Sequence, residues 1–372
     1  MPSSRQKKPR NRLRSRHRSN VKHSTRRPGS FLISTVATIV LWTSVELGLR
    51  LWGDDWMDDA DQGLVVERIG AQSASLAWDP RLLWRLPKGT WYGSRGEEIR
   101  VNSLGLRGAE VQTPKPAGTL RVLGLGDSVV FGFGVEESES YLAIASKGAG
   151  MEPWNGGVPG YSTYQSINVF NMVSSSVQPD VVVVSNIWAD LVVHGFQDKE
   201  LLATHQKIAG HPLWLLNKKI EVFATYRWLR HQVWSRRPPP PSAILTQPGG
   251  LNQQGQPRVS LEEYKNNLDT LVEMAADEGA AVVFLVPAVS NDLDKSPHHP
   301  DELKTGSYRD VMREVGQNHN ALVVEMPSLL RASRLSGTDL FLDGVHLTTR
   351  GHAEVAKVLE GALVQAAAAR GQ

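Results

Sequence analysis

The most constraining feature of the sequence is a short apolar run that stops at glycine. Residues 119–134 read TLRVLGLGDSVVFGFG, in which Gly126-Asp127-Ser128 ends the run from Leu120 to Leu125. A buried strand of this length, broken by glycine and followed by helix-compatible residues, is typical of a parallel α/β unit. Ser128 is therefore expected just past the carboxyl end of a strand, where ligands bind in open α/β sheets. Taken alone, the motif also fits a turn whose serine caps a helix.

The rest of the chain repeats this alternation of strand and helix. Further strands are predicted at 152–155, 181–185, 281–286 and 321–325, and helices at 139–147, 165–175, 260–278, 308–319 and 349–369. Residues 181–185 form a continuous β-branched run, which is typical of a strand covered on both faces. The helix at 260 starts with a Ser-Leu-Glu-Glu capping box. Five strands in this pattern predict an α/β fold.

Charge is unevenly distributed along the 372 residues. Residues 1–30 hold eleven of the 41 basic residues and none of the 38 acidic ones, which leaves the remainder with a net charge of about −8. That acidic remainder argues against nucleic acid as its partner. The absence of cysteine excludes disulfides, a cysteine nucleophile and thiolate metal sites.

A candidate membrane segment follows the basic residues. From Phe31 to Leu49 the sequence is mostly apolar, and its length is close to the roughly 20 residues that a bilayer core requires. Arginines before the segment and five aspartates within residues 54–61 after it place the amino terminus in the cytoplasm by the positive-inside rule. A signal-peptide cleavage site is not evident, and Arg26-Arg27 matches a twin-arginine signal poorly. An uncleaved signal anchor is therefore the favoured prediction, with the remaining chain outside the cytoplasm.

The chain is predicted to have four parts. A basic disordered cytoplasmic head (1–30) precedes the transmembrane anchor (31–52), a connector with a small β-rich lead-in (53–118) and the α/β domain (119–369). A long insertion at 191–258 interrupts that domain. Its basic and apolar residues could rest on a membrane, but a cap over the active site is the favoured interpretation.

A serine nucleophile needs a base, and the base works best when a third group fixes its tautomer. Asp343 and His346 provide such a pair in a loop just before the last predicted helix. Their spacing lets the carboxylate approach the imidazole from the same turn. An isolated Asp-x-x-His is common by chance, so the pair is informative only in combination with Ser128.

In combination, these residues resemble the GDSL or SGNH hydrolase superfamily. The resemblance extends from about Val101 to Leu363 and rests on Gly126-Asp127-Ser128, the glycine-rich turn at 156–160, Asp190, and DGVHLTTRGH at 343–352. VNSLGLRG at 101–108 and PGYSTYQ at 159–165 are similar to the membrane-anchored bacterial branch. The family fold is a flavodoxin-like three-layer α/β/α sandwich with a five-stranded parallel sheet in the order 2-1-3-4-5.

The resemblance also implies roles for individual residues. Ser128 would be the nucleophile, His346 the general base and then acid, and Asp343 the group that orients His346. The backbone N–H groups of Ser128 and Gly160 would form two arms of an oxyanion hole.

The third arm of that hole departs from the family pattern. Family members usually place an asparagine directly before the aspartate after strand three, whereas Ala189 precedes Asp190 here. Asn186 could supply the amide only if the loop is reshaped. Losing one oxyanion donor raises the barrier by roughly 3 to 4 kcal/mol. The departure is compatible with a slow enzyme, a rearranged hole or an inactive domain.

Other polar residues receive structural interpretations. Asp127 is expected to stabilise the turn, Arg107 to form an ion pair rather than bind an anion, and His194 to be a solvated loop residue. His298-His299, with aspartates nearby, resembles a metal site only in composition. No metal and no cofactor are expected.

The sequence thus predicts a membrane-anchored serine esterase that hydrolyses acyl esters, O-acetyl esters first among them, through an acyl-serine intermediate outside the cytoplasm. Acetylated cell-envelope glycans are the substrate class that this location suggests. One alternative is O-acyl transfer to envelope glycans. The other is a catalytically degenerate domain that binds glycan or scaffolds a complex.

Overall fold

The structure, a computed structural model, describes residues 28–52, 77–93, 95–193, 196–220, 222–234, 255–293 and 300–370. The basic head up to residue 27, the connector 53–76 and the middle of the insertion at 235–254 lie outside the described residues. The chain divides into two compact units, Met1–Gly53 and Asp54–Gln372.

The first unit contains one helix, α1 (Pro28–Leu51), among its described residues. Within it, Leu32–Leu51 has a mean hydropathy of 1.7 and is long and apolar enough to cross a membrane. Signal sequences share this length and composition. Near its end, Arg50 Nε donates to Glu46 Oε1 at 2.8 Å, so the acidic residue in this apolar helix is paired.

The second unit begins with two antiparallel hairpins. Strand β1 (Ala77–Asp79) pairs with β2 (Leu83–Arg85), and β3 (Gly89–Tyr92) pairs with β4 (Glu98–Val101). We call residues 77–108 the lead-in. Trp84, in the middle of β2, is fully buried. The lead-in therefore packs against the α/β part of the unit rather than lying free on its surface.

A five-stranded parallel sheet forms the centre of this unit. Its strands are β5 (Arg121–Gly126), β6 (Glu152–Asn155), β7 (Val181–Ser185), β8 (Ala281–Val286) and β9 (Leu322–Glu325). They lie in the order β6-β5-β7-β8-β9. When β5 is counted as the first strand of the sheet, this is the predicted order 2-1-3-4-5, which is confirmed. Every residue of β5 and β7 is buried, as the unbroken apolar runs indicated.

Helices cover both faces of the sheet. In chain order they are α2 (Ser128–Phe131), α3 (Tyr141–Gly148), α4 (Thr163–Val177), α5 (Trp188–Leu191), α6 (Asp198–Ala209), α7 (Pro212–Ile220), α8 (Ala224–Trp234), α9 (Leu261–Asp277), α10 (Pro300–Asn318), α11 (Met326–Ala332), α12 (Gly337–Leu340) and α13 (Thr349–Ala369). Leu123 and Leu125 pack with α4, α9 and α10, whereas Val122 packs with α3, α11 and α13. Alternate strand residues thus face two separate helical layers, which is the expected three-layer sandwich.

Most predicted elements agree with the structure to within two residues, and two differences have clear causes. Helix α10 starts at Pro300 rather than at 308, because proline is tolerated in the first turn of a helix. Helix α4 starts at Thr163 rather than at 165, because Ser162 and Gln165 form a capping box. The predicted box at Ser260 and Glu263 is present at the start of α9.

The carboxyl ends of β5 and β7 meet at a close backbone contact. Gly126 pairs with Ser185 in the sheet. A Cβ atom added at Gly126 would collide with the Ser185 carbonyl oxygen and with Cγ2 of Val130. The turn that carries Ser128 therefore requires glycine at this position for space.

We expect Gly126→Ala to lower the free energy of unfolding by about 1 to 3 kcal/mol, since neither the strand backbone nor α2 can move freely. The matched control is Gly361→Ala in α13, where an added Cβ meets nothing within 4 Å. Alanine there should be neutral or stabilising, because it favours the helix more than glycine does. Thermal unfolding of the purified full chain measures the change in stability of each variant. Equal unfolding midpoints for the two variants would contradict the steric argument.

Candidate active site

Ser128 lies at the first position of α2, directly after β5. The helix is capped by Asp127, whose Oδ1 accepts a hydrogen bond from the Val129 N–H at 2.9 Å. This is the turn-stabilising role that the sequence predicted for Asp127. The cap starts the helix at once after the strand, so the Ser128 side chain lies at the carboxyl edge of the sheet.

The other end of this short helix is held by Arg107 of the lead-in. Its Nη1 donates to the carbonyls of Phe131 at 2.7 Å and Gly132 at 2.8 Å, and its Nη2 donates to Val135 O at 2.7 Å. The sequence predicted an ion pair for Arg107, whereas the observed partners are backbone carbonyls. Arg107 therefore closes the loop that follows the helix of Ser128.

A loop before α13 brings Asp343 and His346 to the same edge. An antiparallel bridge between Phe341 and Leu347 closes this loop, and Leu342 N donates to His346 O at 2.7 Å. Asp343 Oδ1 accepts from the backbone N–H groups of Val345 and His346, both at 2.8 Å. The loop thus folds around the carboxylate, and this fixes the position of the imidazole.

The three side chains form one hydrogen-bonded chain. Asp343 Oδ2 lies 2.7 Å from His346 Nδ1, and His346 Nε2 lies 2.8 Å from Ser128 Oγ. The imidazole also packs on the ring of Phe133, with the two ring centroids 4.6 Å apart. When Nδ1 donates to the carboxylate, Nε2 carries a lone pair toward the hydroxyl. Such an arrangement can remove the serine proton during attack on a carbonyl.

Two carboxylates beside this chain are shifted in opposite directions. Burial alone would raise the pKa of Asp343, but the hydrogen bonds from His346 and Val345 outweigh it and hold the pKa well below its usual range. Asp127 is fully buried, and burial raises its pKa to about 6 despite the hydrogen bond from the Val129 N–H. Asp343 therefore stays ionised at neutral pH, whereas Asp127 titrates in a mildly acidic range.

The glycine-rich loop at 156–162 runs beside the turn of Ser128. Val158 N donates to Gly126 O at 3.1 Å, and an added Cβ at Gly157 would lie 2.8 Å from Val130 Cβ. Gly160 has φ of +80°, a conformation that favours glycine. Among the described residues, no group accepts a hydrogen bond from the backbone N–H of Ser128 or Gly160. These are the two donors that the sequence analysis assigned to an oxyanion hole.

Asn186 lies below this loop and is fully buried. Its Oδ1 accepts from Ser166 Oγ at 2.8 Å, and its Nδ2 donates to Tyr161 O at 3.2 Å. The amide nitrogen has one further hydrogen, so a role in the oxyanion hole stays a prediction. Ala189 is buried within α5, where its methyl group offers no hydrogen bond.

Asp190 connects the β7 side of the site to the start of α4. Its Oδ1 accepts from Thr163 N at 3.0 Å and from Thr163 Oγ1 at 2.6 Å. Burial raises its pKa to about 7, although both hydrogen bonds act in the opposite direction. Asp190 therefore fixes the end of the glycine-rich loop through Thr163.

Three supporting residues were missed by the sequence analysis. Trp84 and Arg258 donate to the loop carbonyls of Pro159 and Gly160, and Asp198 holds Arg258. No motif marks them, because they lie far from the loop in sequence. The sequence contains one indication of the Asp198–Arg258 contact. Both ends of the insertion at 191–258 must return to the same edge of the sheet, and this brings the two residues together.

Two predictions fall on residues outside the described part of the chain. His194 lies there, and so does the His298-His299 pair with Asp294. Asp292, the aspartate before them, forms a buried ion pair with Arg309 at 2.7 Å. The solvated role of His194 and the absence of a metal at 298–299 stay predictions.

A comparison with protein families matches residues 216–354 to the GDSL-like lipase/acylhydrolase family. The matched stretch contains Asp343 and His346 and ends before the close of α13. No curated protein matches the chain.

Several solved structures are similar to this chain at low identity. LAE5, an alpha/beta hydrolase enzyme from the metagenome of Lake Arreo, is 15% identical, with 69% of this chain and 99% of that chain covered and a TM-score of 0.43. Axe2, an acetylxylan esterase from Geobacillus stearothermophilus, is 14% identical, with 66% and 94% covered and a TM-score of 0.40. A lipolytic protein of the G-D-S-L family from Veillonella parvula is 15% identical, with 65% and 97% covered and a TM-score of 0.40.

The match to the family covers the loop that supplies two of the three hydrogen-bonded side chains, and the sheet has the order expected for this family. Residues 216–354 are therefore similar to the GDSL-like lipase/acylhydrolase family, and this domain match supports an ester hydrolase.

Proposed function

We propose that the chain is a membrane-anchored serine esterase that acts outside the cytoplasm through an acyl-Ser128 intermediate. The observation that carries the proposal is the chain of hydrogen bonds from Asp343 through His346 to Ser128, with distances of 2.7 and 2.8 Å. This connectivity supports catalysis over a degenerate binding module, because such a module has no need for an aligned base.

In the proposed reaction, Ser128 Oγ attacks the ester carbonyl carbon while its proton moves to His346 Nε2. The resulting imidazolium is stabilised by Asp343, whose low pKa keeps it ionised. Collapse of the tetrahedral intermediate breaks the ester C–O bond, and Nε2 returns the proton to the departing alcohol. Water then attacks the acyl-serine with His346 again as base, releasing the acid and regenerating the Ser128 hydroxyl.

The negative oxygen of each tetrahedral intermediate needs hydrogen-bond donors. We assign the N–H groups of Ser128 and Gly160 to this role, since neither has an acceptor among the described residues. With Ala189 at the usual asparagine position, two backbone donors would carry most of the stabilisation. Asn186 remains the candidate for a third donor.

The proposed substrate is an O-acetyl ester on a cell-envelope glycan. The location supports this choice: α1 is long and apolar enough to span a membrane, and the basic residues before it favour a cytoplasmic amino terminus. An anchored enzyme facing away from the cytoplasm meets envelope polymers first. No partner other than the membrane and the ester substrate is proposed.

A fluorophosphonate probe tests the nucleophile, because such probes bond covalently to activated serines. We expect the full chain in membranes to form an adduct that Ser128→Ala abolishes. His346→Ala should slow labelling by about 100-fold or more, since general base catalysis contributes at least that much. The control is Ser138→Ala, which removes an exposed serine nearby and should leave the adduct intact. A folded full chain with no Ser128-dependent adduct would refute the enzyme mechanism.

The raised pKa of Asp127 predicts a pH-dependent stability difference. A carboxyl whose pKa is about 6 when folded and 3.8 when unfolded stabilises the fold most at low pH, and this contribution is lost as the pH rises to about 6. Asp127→Asn keeps an acceptor for the Val129 N–H but has no carboxyl to titrate, so the variant does not lose this stability as the pH rises. The stability of the variant relative to the parent should therefore rise by roughly 2 to 3 kcal/mol between pH 4 and pH 8.

Thermal unfolding from pH 4 to pH 8 measures this difference, with the exposed Asp277→Asn as the control. A difference between Asp127→Asn and the parent that does not change with pH would contradict the raised pKa of the buried Asp127 carboxyl.

A β-lactamase fused after Gln372 tests the location. We expect the fusion to confer resistance to a β-lactam, because the enzyme protects cells only from outside the cytoplasm. The fusion should also stay in the membrane at full length, since the anchor is proposed to be uncleaved. Cytoplasmic β-lactamase activity would overturn the orientation, and a shortened fusion in the soluble fraction would identify α1 as a cleaved signal.

A further inference from the structure

The peptide groups on both sides of Gly160 are held by side chains from distant parts of the chain. Trp84 Nε1 donates to Pro159 O at 3.2 Å, and Arg258 Nη1 donates to Gly160 O at 2.8 Å. In return, Tyr161 OH donates to Trp84 O at 2.7 Å, so the lead-in and the loop are joined in both directions.

The hydrogen bond from Trp84 determines where the Gly160 N–H points. The carbonyl of Pro159 and the N–H of Gly160 belong to the same peptide group. In a planar trans peptide these two bonds point in opposite directions. A donor that fixes the carbonyl on one side therefore aims the N–H toward the other side. Because Arg258 fixes the next peptide, rotation about Gly160 is restricted at both of its bonds.

The two donors are themselves rigidly placed. Arg258 donates to Asp198 through Nε at 2.8 Å and Nη2 at 2.7 Å, and Ser162 Oγ donates to the same carboxylate at 2.6 Å. The Arg258 guanidinium lies 5.4 Å from the centroid of the Trp84 ring, within the range of a cation–π contact. Trp84, Arg258 and Asp198 are all buried, which leaves their side chains little contact with water.

Other indoles in the chain show that such pairing is not automatic. The Nε1 atoms of Trp91 and Trp154 are buried and have no hydrogen-bond partner within the described residues. Trp91 belongs to the lead-in, as Trp84 does, but has no bond to the glycine-rich loop. It therefore offers a matched comparison for the effect of an indole N–H.

We propose that Trp84 is a positioning residue for catalysis, which aims the Gly160 N–H at the oxyanion, with Arg258 holding the adjoining peptide. The inference rests on the proposed function, because it assumes that the Gly160 N–H stabilises the tetrahedral intermediate. Donors contribute most to catalysis when they are oriented before the reaction begins, so that no reorganisation is needed in the transition state. Trp84 supplies this orientation without touching the substrate.

The test compares Trp84→Phe with Trp91→Phe in the full chain. A second variant replaces Trp84 with 3-benzothienylalanine, which keeps the bicyclic ring and has sulfur in place of the N–H. In both Trp84 variants we expect kcat for p-nitrophenyl acetate, per serine titrated by fluorophosphonate, to fall about 10-fold. KM should change less than about twofold, because the oxyanion bond forms in the transition state. Because the rate is divided by the number of serines that the probe titrates, unfolded protein does not contribute to kcat.

Hydrogen exchange of the backbone amides at 157–163 gives a readout that does not depend on activity. Exchange should be faster in both Trp84 variants and unchanged in Trp91→Phe. Unchanged exchange or an unchanged kcat per titrated site in the Trp84 variants would overturn the inference, as would an equal loss in Trp91→Phe. Failure of the proposed function is distinguished by the parent, which would then form no Ser128-dependent adduct.

Discussion

The close contact between β5 and β7 determines where Ser128 and its hydrogen-bonded partners lie. At Gly126 the backbone of β5 approaches the Ser185 carbonyl so closely that a side chain does not fit. The chain must then leave the sheet immediately after β5, and Asp127 caps the short helix that begins with Ser128. Because β5 lies between β6 and β7 in the sheet, the loops after both neighbours meet this turn.

Hydrogen bonds from the lead-in complete the site, although the lead-in lies outside the alternation of strands and helices. Arg107 binds the carbonyls that follow the helix of Ser128, and Trp84 binds Pro159 in the neighbouring loop. The first contact holds the turn of Ser128 and the second holds the glycine-rich loop. A relative displacement of the two loops would require breaking buried hydrogen bonds, which leaves unsatisfied polar groups.

The sheet could be predicted from the sequence because its signals are local. The strands at 152–155, 181–185 and 281–286 were predicted to the residue, since each is a short run bounded by turns or helix caps. The order of strands and the pairing of Ser128 with Asp343 and His346 came from the family resemblance. Periodicity carries no information on which distant loops meet.

The supporting residues could not be predicted in this way. Trp84 looks like any apolar strand residue, and nothing around Arg258 distinguishes it from a surface arginine. Their roles depend on a meeting of three segments that are far apart in the chain. The insertion after α5 was recognised by its length, but its ends are joined by a buried ion pair between Asp198 and Arg258 at 2.7 Å, which no pattern in the sequence indicated.

The buried carboxylates around the site, Asp127, Asp190 and Asp198, differ in how many of their hydrogen-bonding positions are filled. Asp198 accepts two hydrogen bonds from Arg258 and one from Ser162. Asp127 and Asp190 each have one carboxylate oxygen with no partner among the described residues, and burial raises the pKa of both. A buried carboxylate with few partners destabilises a fold when it is ionised.

These two aspartates occupy positions where the backbone needs an acceptor. Asp127 caps the helix of Ser128, and Asp190 receives the N–H and hydroxyl of Thr163 at the end of the glycine-rich loop. Both carboxylates are therefore retained for the backbone groups that they hold, whereas the charge of Asp198 is compensated by Arg258, whose positive charge also opposes the effect of burial on the pKa of the neighbouring Asp190.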